Sequence, residues 1–191
     1  PVIAALYAPT ADDAAEGAAR LAGCECIQGI EIHLPHDATP EVAASAVRAV
    51  ATETTLPCLV RVTERGAVPQ AAAAEEAGAD GLVVAAPPHG LARDEDGAWA
   101  AGPLHGPALA PLYAALIHEV HRETELPVIG RGGIGRAEDV LAHLAAGAVA
   151  VQLDSILYVD PAAPAAISDY LAEQMARAGA EDWEAFLETL R

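Results

Sequence analysis

Four glycines fall within six residues at Gly130-Arg131-Gly132-Gly133-Ile134-Gly135. Glycine admits positive φ, so such a loop can turn sharply and present its amide N–H groups outward. Placed between a strand and a helix, those amides and the helix dipole form a site for phosphate or another anion. The flanking residues meet that condition. Leu126–Ile129 is a short apolar run carrying Pro127 and reads as a buried parallel strand. Ala137–Ala146 is rich in alanine and leucine, with Glu138 and Asp139 where a helix dipole favours acids. Gly147 ends that helix, and Val149–Leu153 is the next strand. A glycine-rich turn that binds nothing is the plainer reading of the same residues.

A second group with chemical potential is Glu31, His33 and Arg61. Strand parity puts Glu31 and His33 on one face, and Ile30, Ile32 and Leu34 on the other. If the apolar set faces the helices, Glu31 and His33 point the opposite way, as do Leu59, Arg61 and Thr63 on the neighbouring strand. A carboxylate beside an imidazole can act as an acid–base pair, and the planar, always charged Arg61 can hold an anion. The rival arrangement is a Glu31–Arg61 ion pair that fills the space, which requires hydrogen bonds good enough to offset desolvation. His118, His121 and His143 fall on helices and are expected at the surface or rim. His89 and His105 bracket Pro87–Gly106, a stretch with the length of an active-site lid, in which Trp99 is expected to anchor the excursion to the body of the fold.

The elements that carry these residues repeat. Strands are expected at Val2–Leu6, Glu25–His33, Pro57–Val62 and Gly81–Ala86, besides the two at the glycine loop. Thr10 caps a helix over Ala11–Ala22, and Thr39 caps Pro40–Glu53, with proline at its favoured first position. Further helices are expected at Val68–Ala77, Pro107–Glu123, Pro161–Ala178 and Glu181–Leu190. A strand–helix period of about 25–40 residues implies parallel βα units. Six such strands match six of the eight units of a TIM (β/α)8 barrel, in which phosphate sites follow the last strands. The alternative is a doubly wound sheet, but that fold places its nucleotide loop after the first strand. The chain opens inside a strand, so we read residues 1–191 as one partial barrel domain cut from a longer protein.

Bulk composition excludes some roles. Ten basic against 28 acidic residues give a formal net charge of −18. Nucleic-acid and anionic-membrane partners need basic surface, so neither is expected. No apolar run reaches the roughly 18–20 residues that span a bilayer. The three cysteines, Cys24, Cys26 and Cys58, are sparse and odd in number, as suits a reducing, cytoplasmic location. Cys24-x-Cys26 has no second pair, so no metal site is expected.

Leu126–Leu153, together with Gly106-Pro107-Ala108-Leu109-Ala110-Pro111-Leu112, resembles the dihydroorotate dehydrogenase family. The likeness runs in order from Pro1 to Asp160, as strands three to eight of that barrel. It implies FMN at the barrel mouth, a small anionic substrate, and the oxidation of dihydroorotate to orotate in pyrimidine biosynthesis. In the family a catalytic base takes a proton while the flavin takes a hydride. Carried over by position, the phosphate loop is Gly130, Gly132, Gly133 and Ile134. The second set of phosphate-contacting amides, usually at Gly-Thr after the last strand, reads Asp154-Ser155, and the lysine that contacts the flavin ring is Arg61.

The substrate residues depart from the pattern. The motif Asn-x-Ser-Cys-Pro-Asn holds orotate with its asparagines and uses the cysteine as base. Here it reads Glu31-Ile32-His33-Leu34-Pro35-His36, and the base position is Leu34. The strand-four asparagine falls near Ala86-Pro87, and the glycine-serine-glycine element reads Gly102-Pro103-Leu104-His105-Gly106. Two functions follow as expectations. One is a flavin-dependent oxidoreductase with Glu31 and His33 in catalysis; the other is a non-catalytic barrel serving as scaffold, homo-oligomer or partner to a paralogous subunit.

Overall fold

The computed structural model describes residues 1–191. Six parallel strands form one sheet in sequential order: β1 (Ile3–Tyr7), β2 (Gly29–His33), β3 (Cys58–Arg61), β4 (Gly81–Val84), β7 (Val128–Arg131) and β8 (Ala150–Gln152). Between β4 and β7 the chain makes a separate antiparallel hairpin, β5 (His89–Arg93) with β6 (Trp99–Pro103). The crossover helices are α1 (Ala11–Ala22), α2 (Pro40–Glu53), α3 (Ala67–Glu76), α4 (Ala110–Glu123) and α5 (Ala137–Ala145), each packed on its successor. The chain ends with α6 (Ile156–Val159), α7 (Ala163–Ala178) and α8 (Trp183–Leu190). A sequential, one-directional order with helices packed in series is what right-handed crossovers produce.

Local sequence explains the helix starts. Thr10 and Thr39 have extended backbones and accept from the amides of Asp13 and Val42, satisfying donors that have no partner inside the helix. The core lies between sheet and helices: Ile30, Ile32, Val60, Leu82, Val84 and Val128 face the alanine-rich helix surfaces and are 0–1% exposed. The small alanines let the helices lie close, while the alternate strand residues turn to the barrel side. Gln70 of α3 is fully buried there. Its amide donates to the Ala38 carbonyl at 2.6 Å and its oxygen accepts from the Thr63 amide at 2.7 Å, fixing the turns that follow β2 and β3 against each other.

The sheet curls. Gln152 of β8 donates to the Glu31 carboxylate of β2 at 2.6 Å. In a flat sheet these strands would be four spacings, about 19 Å, apart. The side chains meet only because the six strands bend round a shared interior, as a partial (β/α) barrel requires.

Some elements differ from expectation. Pro87–Gly106 is expected as an irregular excursion but carries the hairpin, because Asp94 accepts from the Asp96 and Ala98 amides and makes the turn. Trp99 is 62% exposed. It stacks under the Arg93 guanidinium at 4.4 Å, bracing the hairpin rather than anchoring it to the barrel. Strand β2 begins at Gly29, not Glu25, since Glu25–Gln28 forms the turn out of α1. No helix is long and apolar enough to cross a membrane. Replacing Gln70 by leucine keeps the volume but strands the Thr63 amide and the Ala38 carbonyl. Thermal unfolding should then register a loss of about 1–3 kcal/mol.

Candidate active site

The C-terminal ends of β2, β3, β7 and β8 converge on one polar cluster. Because Ile30, Ile32 and Val60 face the helices, Glu31, His33 and Arg61 face the interior, as parity predicts. Parallel registration sets His33 beside Arg61 on the next strand. On β7 a Cβ at Gly130 would meet His143 and Ile117 on the helix side, so Arg131, one residue on, turns inward. Arg131 is in register with Gln152.

Glu31 is the hub. One carboxylate oxygen lies 2.7 Å from His33 Nε2 and 3.8 Å from Arg61 Nε; the other accepts from Gln152. Burial acts to raise the Glu31 pKa, but the hydrogen bonds from His33 and Gln152 and the positive charge of His33 and Arg61 outweigh it. The carboxyl is held below its ordinary 4.5. An ionised carboxylate only accepts, so His33 Nε2 carries the hydrogen, and Nδ1 keeps a lone pair when the ring is neutral. Arg61 is pulled down to about 10 by burial and by the like charge of Arg131, against the pull of Glu31 and Asp154. Its Nε is buried without a hydrogen-bond acceptor.

A second ion pair sits beside the first. Arg131 bonds the Asp154 carboxylate and reaches the Ala85 carbonyl at 3.4 Å. His105 Nδ1 lies 3.4 Å from the same Asp154 oxygen. The acid that the sequence places near the glycine loop is thus already paired by a strand residue.

The glycine loop is shaped from behind. Gly132 and Gly133 have φ of 91° and 72°. A Cβ at Gly132 would lie 2.4 Å from the Tyr113 ring, and one at Gly133 would lie 2.5 Å from the Ala110 backbone at the start of α4. Only glycine fits both positions. His143, fully buried on α5, sits between the Asp139 carbonyl, 2.8 Å from Nδ1, and the Gly132 carbonyl, 3.0 Å from Nε2, and its neutral ring donates to one of the two at a time. Burial keeps the His143 pKa below 6.5, although both carbonyls oppose that shift. The Gly135 and Arg136 amides are spent on Asp139, at 2.9 and 3.1 Å. The amides of Gly132, Gly133 and Ile134 donate to no acceptor within the chain. Ile134 and Gly135 border an open hollow of about 280 Å³, lined also by Ser155 and Ile156 after β8 and by His105 after the hairpin.

The sequence profile for dihydroorotate dehydrogenase matches residues 33–175, three quarters of the chain. The chain belongs to the dihydroorotate dehydrogenase family. It is 34% identical over 180 residues to the catalytic subunit of dihydroorotate dehydrogenase B (NAD+) from Citrifermentans bemidjiense, covering 85% of this chain and 59% of that protein. The same subunit from Trichlorobacter lovleyi is 34% identical over 199 residues, covering 95% of this chain and 66% of that one. The chain therefore spans about three fifths of the length of the curated relatives it matches. A crystal structure of DHODH from Eimeria tenella, in complex with ferulenol, superposes with a TM-score of 0.75 over 93% of this chain and 57% of that one. Its 19% identity speaks for the fold.

Within this dihydroorotate dehydrogenase family member, the structure brings together Glu31, His33 and Arg61, and separately Ile134 and Ser155; Gly132 and Gly133 lie in the same loop but do not line the hollow that those two share. Gly130 lies inside β7 and serves the close approach of α4 and α5. His143 is an interior brace and not the rim residue that its helix suggested. Sequence reasoning missed Gln152 and the pairing role of Arg131; their inward parity on β7 and β8 was the available signal. Leu34, where the resemblance puts the base, is 6% exposed in the core. Cys24 and Cys26 are exposed beyond α1, and Cys58 opens β3 with its thiol pushed to about 12 by burial and Asp80. No cluster of three or more potential metal ligands is present.

Two outcomes follow. Gly132→Ala must move Tyr113 and take up a strained φ, so calorimetry should show a loss of about 1–3 kcal/mol. Glu31, with its folded pKa depressed, contributes stability that is present above 4.5 and lost as pH falls through the folded value. Glu31→Gln removes that term, so the pH–stability curve of the variant should be shallower on its acid limb.

Proposed function

We propose that this chain is the FMN-binding, C-terminal part of a flavin-dependent oxidoreductase barrel acting on a small anionic substrate. The observation that carries it is the run of unspent amides at Gly132, Gly133 and Ile134, the last of which borders the hollow at Ser155. Two glycines that no other residue could replace hold the loop in that conformation. A phosphate monoester fits such donors, so the residues present suit the group. FMN, when bound, supplies a two-electron oxidant at the barrel mouth.

The chain's own residues would do the rest. Arg61, with its buried Nε lacking an acceptor, is placed to hold an anionic group of substrate or flavin. His33 is oriented by Glu31 through Nε2, which leaves Nδ1 to take a proton. Glu31 itself is a weak candidate for the base, since both of its oxygens are engaged and its pKa is depressed.

The family reaction, oxidation of dihydroorotate to orotate, is expected to be slow in this chain. A buried Leu34 supplies no general base, a contribution of about 10²–10⁴-fold. The asparagines that hold the carboxylate of the substrate are replaced as well. The second reading, a non-catalytic barrel acting as scaffold or partner subunit, draws on Leu34 and on the Glu31–Arg61 pair, which partly fills the mouth. The absorbance spectrum of the full-length protein and an FMN titration of wild type and Arg61→Ala separate the two. Loss of FMN binding in the variant identifies Arg61 as a flavin contact; tighter binding identifies it as a plug. With FMN bound, anaerobic mixing with dihydroorotate should leave the flavin absorbance largely unbleached. Rapid bleaching would overturn the expectation and point to His33.

A further inference from the structure

We infer that His105 is a phosphate ligand of the glycine-loop hollow, held in place by Asp154 and made tolerable to an anion by Arg131. This deepens the FMN reading and rests on its assignment of the hollow to phosphate. His105 lies after β6, at the foot of the hairpin, in a chain segment separate from both the loop and the end of β8. It lines the same hollow as Ile134, Gly135 and Ser155, so three distant segments meet there. Its side chain is 38% exposed, and its Nδ1 lies 3.4 Å from Asp154 Oδ2.

The charges decide what such an arrangement can bind. A carboxylate beside a phosphate dianion is repulsive, and Asp154 alone would spoil the cradle. Arg131, 8% exposed, engages the same Asp154 oxygen from inside the barrel and balances its charge. The groups facing His105 are therefore Asp154 from the segment after β8 and, behind it, Arg131 from β7. A protonated His105 donates from both ring nitrogens, one toward Asp154 and the other to an anion in the hollow. Arg131, Asp154 and that ring together leave one positive charge over. Backbone amides supply hydrogen bonds without a formal charge, and His105 adds the charge-assisted bond that a dianion favours.

The ligand class is a phosphate monoester rather than the flavin ring. Titrating the full chain by flavin fluorescence with FMN and with riboflavin, which has the ring but no phosphate, reads that distinction. His105→Ala should weaken FMN by roughly 10- to 100-fold, the worth of a hydrogen bond to a charged group, and leave riboflavin unchanged. His105→Gln, which keeps a donor without charge, should fall between. Equal weakening of both flavins would mean a misplaced hairpin, and no weakening of FMN would mean no contact; either overturns the assignment. If wild type binds neither flavin, the FMN reading fails, and inorganic phosphate decides this one. A phosphate-dependent shift of the His105 ring resonances, assigned by their loss in His105→Ala, supports it, and no shift overturns it.

Discussion

One buried carboxylate constrains the mouth of this half-barrel. Glu31 is 6% exposed and ionised, a state that is costly unless every lone pair has a partner. The partners come from three strands: His33 on its own strand, Arg61 on β3, and Gln152 from β8 across the interior. Satisfying Glu31 therefore demands a curled sheet with these side chains in one layer. A flatter sheet would keep His33 and Arg61 beside Glu31 but lose Gln152, leaving the second carboxylate oxygen without its donor. The polar interior and the curvature of the sheet are two aspects of one requirement.

The glycine loop depends on that curvature in turn. Its shape is set by contacts behind it, where Tyr113 and the start of α4 press on Gly132 and Gly133 and His143 reaches the Gly132 carbonyl. Curling brings the end of β8 round to face it, so that Ser155 and Ile156 line the hollow. The Arg131–Asp154 pair joins the two polar regions: its guanidinium lies near Arg61 and its carboxylate near His105. Substituents at either centre thus feel the other electrostatically.

The departures from the family pattern have a common physical sense. Leucine where the resemblance puts the base is absorbed by the core, since its parity points it at the helices with Ile30 and Ile32. Glu31 and His33, two positions apart on the opposite face, turn inward and create a new acid–imidazole contact. The new acid–imidazole contact lies on the five-residue strand β2, and Leu34 follows directly at its end. Asp154 follows the same logic, because an acid beside the glycine loop is accommodated where Arg131 pairs it.

Much was legible in the sequence. Alternation on β2 and β3 fixed which residues face inward, since side chains of a strand must alternate. Threonine caps, the proline at position 40 and the glycine stops located the helices within a few residues, and the repeated strand–helix units implied parallel order. The clustered glycines marked a loop whose Gly132, Gly133 and Ile134 amides find no acceptor within the chain. The hairpin at His89–Pro103 was not legible, because its strands are short, exposed and lack an apolar face. Nor was His143, whose helical spacing resembles that of a surface residue until α5 is docked on β7. Which partner Glu31 takes was open for a deeper reason. His33 and Arg61 compete for one oxygen within a few ångströms, and Gln152 reaches the other from 121 residues away. Local chemistry determined the faces, caps and loop; only closure of the sheet decided which charges meet, because distances across a barrel depend on its curvature and not on spacing along the chain.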